Sequence, residues 1–190
     1  MKNEKIENKR KQSFGEIVFS WLSEISICAI VVVVIMTFLF KVVMVSGDSM
    51  LPNYHEADRV IVSSFVGELE QGDVVVASKV LENPIIKRVI ATEGQTVFID
   101  GEKGIVYVDD VAVNEEVFGL ENGITKEVFT TLDKTKYPAV VPKGHVFLLG
   151  DNRYISEDSR YLEVGMVDMR KIVGKVVFKL LPLEKFGPVT

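Results

Sequence analysis

Residues 25–40 form sixteen consecutive positions with no charge and no proline, dominated by Val and Ile. Nothing else in the chain limits its fold as sharply. Sixteen residues make about 24 Å of helix, short of the roughly 20 residues that span a bilayer. Extended back to Ile17 the run reaches 24 residues, broken only by Glu24, and Trp21 falls where an interfacial aromatic belongs. A helix apolar on all sides, with no polar face, fits a membrane span better than the core helix of a soluble domain. Lys2, Lys5, Lys9, Arg10 and Lys11 precede it, and this basic cluster predicts an inside N-terminus with the bulk of the chain outside. A cleavable secretory signal is the competing expectation, because Val45-Ser46-Gly47 loosely offers small residues at a cleavage position. Against it stands the stretch of more than twenty residues before the apolar run. The expected organisation is a cytoplasmic N-terminus over 1–16, an uncleaved single-pass anchor over 17–41, and a domain beyond.

Past residue 41 the sequence carries sixteen basic and twenty-three acidic side chains. A nucleic-acid-binding surface would need the opposite balance, so no nucleic-acid partner is expected. The only cysteine, Cys28, lies inside the apolar run. That excludes an intramolecular disulfide, and it leaves no cysteine outside the run for metal binding or thiol catalysis.

Short apolar runs rich in Val, Ile and Phe occupy 59–65, 73–77, 85–91, 96–99, 105–108, 145–149 and 172–181, separated by Gly, Pro, Asn and Asp clusters. This is the signature of strands, and the predicted class is mainly β. Asp100-Gly101 and Asp109-Asp110 predict hairpin turns on either side of 105–108. The stretch 114–137 is more polar and less patterned, so 102–138 is expected to be a small cap inserted into a β core made of 42–101 and 139–190.

Three motifs bear chemistry: Ser46-Gly47-Asp48-Ser49-Met50-Leu51-Pro52, Lys87-Arg88 within 85–91, and Gly150-Asp151-Asn152-Arg153-Tyr154-Ile155-Ser156-Glu157-Asp158-Ser159-Arg160. Each alone passes for a turn serine, a strand lysine or a polar loop. Their joint occurrence, in this order behind an anchor, resembles bacterial type I signal peptidases in the short single-anchor Gram-positive form. The likeness runs from the anchor to about Pro182. Ser49-Met50 with Pro52 is similar to the family's nucleophile box, and Gly72-Asp73-Val74-Val75-Val76 to the next. Lys87-Arg88 falls in the general-base box and 150–160 in the last.

Physical chemistry supports the same pairing. A serine hydroxyl needs an adjacent base to become a nucleophile. The two histidines, His55 in a turn-like stretch and His145 beside Gly144, have no evident carboxylate partner, so a Ser-His-Asp triad is not expected. A lysine can serve only when neutral. From a pKa near 10.4, deprotonation at pH 7 costs about 4.6 kcal/mol, and burial is what lowers that cost. In a strand, Lys87 would share its face with Ile85, Val89 and Ala91 while Arg88 points the other way.

The resemblance implies a signal-peptidase-like β-barrel or sandwich and a serine endopeptidase in which Ser49 attacks and Lys87 is the base. Ser156 would orient Lys87 by a hydrogen bond, and the Ser49 backbone N–H would serve the oxyanion. Where some members place a hydroxyl two residues upstream, this chain has Gly47. It implies structural roles for Asp151, Arg153, Asp158 and Arg160, with Asp158 paired to Arg153 or Arg160, a turn role for Asn152, and a substrate contact at Met50. Substrates would be secretory preproteins with small residues at the cut, held extended beside a strand edge. Membrane lipid is the other partner, and no cofactor or metal is implied. Two departures from the family pattern stand out: Ala91-Thr92-Glu93-Gly94-Gln95 replaces a Gly-x-Pro-Gly-Asp run, and about two extra residues follow Arg160. A dedicated surface-protein or pilin peptidase, or a non-catalytic assembly partner, is the alternative within the family. A self-cleaving Ser/Lys repressor is disfavoured by the anchor and by the lack of a DNA-binding module.

Overall fold

A computed structural model of the chain describes residues 14–126 and 134–189. The basic cluster at 2–11 and part of the expected cap lie outside the described residues. The chain divides into two units, Met1–Phe38 and Leu39–Thr190.

The first unit is dominated by helix α1, Phe14–Leu39, 26 residues with no buried side chain. Its length, and a mean hydropathy of 2.5 over an 18-residue window, suffice to cross a membrane. A core helix of a soluble protein would bury one face; this helix buries none.

Among the described residues of the second unit twelve strands follow: β1 Phe40–Met44, β2 Arg59–Ser63, β3 Val74–Ala77, β4 Ile85–Ala91, β5 Thr96–Asp100, β6 Ile105–Val108, β7 Val111–Ala112, β8 Ala139–Val140, β9 His145–Leu149, β10 Val167–Asp168, β11 Ile172–Leu181 and β12 Gly187–Pro188. The domain is mainly β, as the sequence predicts. The larger sheet runs β1-β2-β11-β3-β4-β9-β10 with β12 also on β11, and the smaller runs β7-β6-β5-β8. All pairings are antiparallel.

The expected anchor boundary at 41 differs from the observed helix end. Phe40 and Lys41 already belong to β1, which pairs with β2 from Phe40 opposite Ser63 to Met44 opposite Arg59. Cross-strand pairing at this end overrides the continuity of the apolar run.

The larger sheet curls about β11, whose pairing with β2 shifts register twice and whose pairing with β3 shifts once. Such bulges bend a strand and raise its twist. Gly174 sits at the closest approach: a Cβ there would lie 2.3 Å from the Ser63 carbonyl oxygen, so any side chain would push β11 off β2.

The smaller sheet contains the two predicted hairpins. Asp109 and Asp110 both adopt positive φ, 50° and 65°, the backbone that a tight two-residue turn requires. This sheet includes β5 and β8, on either side of 102–138, and its Val97, Ile99, Val106 and Val108 share one apolar cluster with Phe147 and Leu149 of β9. Val106 and Val108, within 102–138, thus share an apolar core with β5 and β9.

Candidate active site

Strand β4 carries the central lysine. Lys87 lies opposite Val75 of β3, and Val75, Val89 and the half-buried Ile85 belong to one apolar cluster. Ala91 departs from that face. A register shift between Val89 and Ala91 delivers Ala91 to the cluster of Ile90, Val97 and Phe147. Strict alternation along 85–91 fails at this bulge.

The side chain of Lys87 is left only 4% exposed, and its Nζ lies 2.7 Å from Ser49 Oγ. Burial drives the Lys87 pKa below the usual 10.5; the carboxylates of Asp158, Glu157 and Asp151 pull the other way without reversing the shift. A hydroxyl and a desolvated amine at this separation are within reach for direct proton transfer.

Ser49 follows β1 in a turn whose Leu51 N–H donates to the Asp48 carbonyl at 3.2 Å. The Ser49 carbonyl accepts the Asn152 N–H at 3.0 Å, and Asn152 Nδ2 donates to the Asp48 carbonyl at 3.1 Å. Asn152 does take a turn position, its carbonyl accepting the Ser156 N–H at 3.0 Å. Beyond the expected turn role, it grips the serine loop at two successive carbonyls.

Gly150 is where the two segments pass closest. A Cβ there would lie 2.1 Å from Ser156 Oγ and 2.5 Å from the Ser49 carbonyl oxygen. Ser156 is thereby brought against the Ser49 backbone, but the hydrogen bond to Lys87 expected of it is not formed. Its Oγ is buried without a hydrogen-bond partner.

Buried ion pairs support these segments. Asp158 pairs with Arg160, Nε to Oδ1 at 2.8 Å and Nη2 to Oδ2 at 2.9 Å, and also accepts the Gly150 N–H at 3.1 Å. Of the two partners proposed for Asp158, Arg160 is the one that meets it. Asp151 accepts Arg88 Nε and Nη2 at 2.8 and 2.7 Å. Arg153 instead reaches Glu115, in the 3-10 turn Glu115–Phe118. Arg88 does point away from Lys87, yet it is buried rather than solvated.

Met50 is a correction to the expected substrate contact. It is fully buried and packs with Val45, Tyr54, Val60 and Val62, so it presents no surface to a ligand. The histidines stay apart from the dyad: His55 is exposed, and His145 Nδ1 meets the Lys143 carbonyl.

Sequence reasoning missed Asn53, whose Nδ2 donates to Asp151 Oδ2 at 2.7 Å. It also missed Lys179, which is buried against Asp58 at 3.0 Å and lies over the Tyr54 ring at 4.4 Å. Alternation from the buried Gly174 and Val176 would turn Lys179 outward, and only the register shift between Val176 and Phe178 turns it inward, so the sequence carried no signal for it. Asn53 gave none.

A groove of about 580 Å³ is lined by residues 43–47 on one wall and by Val76 and residues 83–86 on the other. The first wall leads along the chain to Ser49 and the second to Lys87. Strand β1 is the edge of its sheet.

Residues 18–181 match the family model for signal peptidase, peptidase S26. The chain is 30% identical over 189 residues to signal peptidase I of Bacillus licheniformis, covering 97% of each. It is likewise 30% identical to signal peptidase I T of Bacillus subtilis, covering 96% of this chain and 93% of that one. With signal peptidase IB of Staphylococcus aureus it shares 29% identity over 89% of this chain and 92% of the other. A buried amine within hydrogen-bond distance of a serine hydroxyl in a mainly β domain is an arrangement suited to acyl transfer, and the match over most of the chain makes the class a peptidase. The chain belongs to the signal peptidase family, peptidase S26.

Proposed function

We propose that Ser49 and Lys87 are the nucleophile and general base with which this member of the signal peptidase family removes signal peptides from secretory preproteins. The observation that carries this reading is the 2.7 Å approach of Lys87 Nζ to Ser49 Oγ with the lysine desolvated. Ser49 Oγ attacks the scissile carbonyl and its proton passes to Lys87 Nζ. The Ser49 backbone N–H serves the developing oxyanion. Lys87 then protonates the leaving amine, which is the new N-terminus of the mature protein, and the signal peptide remains as an ester on Ser49. Neutral again, Lys87 takes a proton from water, which hydrolyses the ester.

The substrate lies extended in the groove between residues 43–47 and 83–86. Strand β1 has one edge free for main-chain hydrogen bonds, the recognition mode in which side-chain pockets add selectivity. Small residues before the cut suit it, because a chain held close to Ser49 between two walls leaves little room for large ones.

Helix α1 is the membrane anchor. With the basic residues preceding it inside, the catalytic domain stands outside. Cutting the chain after Gly47 would discard β1 and Val45, which is buried and hydrogen-bonded through its N–H to the Asp58 carbonyl at 2.8 Å. That loss to the folded domain supports an uncleaved anchor. Ser49 follows the helix end by ten residues, so enzyme and membrane-held signal sequence share one thin layer, which raises their effective concentration.

The test is processing of a preprotein bearing an Ala-x-Ala site by the full chain in detergent or vesicles. Wild type should cut after the second Ala, while Ser49→Ala and Lys87→Ala should lose at least about a thousandfold in rate. Equal cutting by all three, or no cutting by wild type across several preproteins, overturns the reading.

A further inference from the structure

The insertion carries a buried carboxylate that the dyad chemistry does not use. Glu115, 2% exposed, opens a 3-10 turn, Glu115–Phe118, closed at each end. Asn114 accepts the Glu116 N–H through its side chain, and Gly119 caps the turn in the left-handed conformation. Asn122 Oδ1 accepts the Glu115 N–H at 2.9 Å. The turn is therefore a braced element that aims one acidic side chain inward.

Its target is the loop behind the serine. Glu115 Oε1 accepts Arg153 Nη1 and the Thr125 hydroxyl at 3.2 Å, and Arg153 Nη1 also donates to Thr125 Oγ1. Arg153 Nε donates to the Gly150 carbonyl at 2.9 Å, and Gly150 is the residue packed against Ser156 Oγ and the Ser49 carbonyl. The far end of the same turn touches the second support. The Phe118 carbonyl accepts Asn53 Nδ2 at 2.8 Å, and the Phe118 ring lies 4.9 Å from the Arg88 guanidinium carbon. Asn53 and Arg88 are the two side chains that hold Asp151. One short turn thus contacts both the arginine that holds the Gly150 carbonyl and the side chains that hold Asp151.

We propose that Glu115 is a positioning residue for the Ser49–Lys87 dyad, acting through Arg153 on the Gly150 carbonyl and so on the loop that seats Ser49 and Ser156. This rests on the dyad reading above. A buried charge with a single guanidinium partner leaves that partner uncompensated when neutralised, and small shifts of a supporting loop are felt as lost reaction geometry rather than lost substrate affinity.

The experiment is steady-state cleavage of one preprotein by the full chain and by its Glu115→Gln, Glu115→Asp, Arg153→Ala and Glu115→Gln/Arg153→Ala variants, at a temperature where each variant remains folded by circular dichroism. The exposed neighbour variant Glu116→Gln is the control. Glu115→Gln should lower kcat about ten- to a hundredfold with KM within about twofold of wild type, Glu115→Asp should recover part of the loss, and the double variant should be no slower than Arg153→Ala alone. If Glu115→Gln does not stay folded, Glu115→Asp and Arg153→Ala carry the same kcat-against-KM comparison. A kcat for Glu115→Gln equal to that of Glu116→Gln, a change confined to KM, or additive losses in the double variant would overturn the proposal. A wild type that cuts nothing overturns the dyad reading and this proposal together, whereas wild-type cutting with an indifferent Glu115 overturns this proposal alone.

Discussion

Arg88 and Asp151 meet through two parallel hydrogen bonds of 2.8 and 2.7 Å, both side chains buried, so that the residue after the lysine is joined to the residue after Gly150. Bidentate geometry of this kind fixes orientation as well as distance. Strand β4 and the loop that seats the serine are thereby locked to one another although 63 positions separate them in the chain.

Removing one partner of that pair leaves a buried uncompensated charge, at a cost of about 3–5 kcal/mol. Asp151→Asn and Arg88→Ala should each lower the unfolding free energy by roughly that amount in urea titration. A loss below about 1 kcal/mol in both would show that the pair does not brace the domain.

Gly150 leaves no room for a Cβ. Gly150→Ala should separate the serine loop from Ser156, lower cleavage by at least about a hundredfold, and destabilise the domain by about 1–3 kcal/mol, as overpacking does. Wild-type activity in this variant, measured on the same preprotein, would mean that the close passage at Gly150 has no part in the chemistry.

The pH dependence follows from burial of Lys87. Because its pKa in the folded protein lies below 10.5, the reactive neutral amine is populated earlier than in a free lysine. The kcat/KM profile should rise on an alkaline-going limb with a midpoint below 10.5 and then level off. Stability has the same sign. Between the folded and the unfolded pKa only the unfolded chain holds this proton, so the Lys87 contribution makes the domain more stable as pH rises through that window. Lys87→Met should remove both effects, and a limb that persists unchanged in residual activity would assign it to another group.

Much of this was legible in the chain because its signals are local. The strands 85–91, 105–108, 145–149 and 172–181 coincide with the apolar runs that turn residues bound, and Ser49 with Lys87 stood out by residue type and motif. What escaped is set by contacts distant in sequence. Strand β1 was hidden because Phe40 is the last residue of the apolar run and Lys41 falls where an anchor's end is expected, and only pairing with β2 distinguishes it. The face of Ala91 was misread because a bulge has no clear sequence mark. Glu115 lies in an unpatterned stretch, and the partner that makes it matter, Arg153, is 38 residues away. Met50, where the resemblance implies a substrate contact, lies in the core because its side chain packs with Val45, Tyr54, Val60 and Val62, contacts that local sequence does not show.

The most direct measurement is acid-quench mass spectrometry of the full chain mixed with a preprotein. Attack by Ser49 with Lys87 as base requires a transient adduct of the signal-peptide mass esterified to the peptide containing Ser49 in wild type, absent in Ser49→Ala and strongly slowed in Lys87→Ala. An adduct on any other residue, or one that forms in Lys87→Ala at the wild-type rate, would contradict the assignment of the dyad.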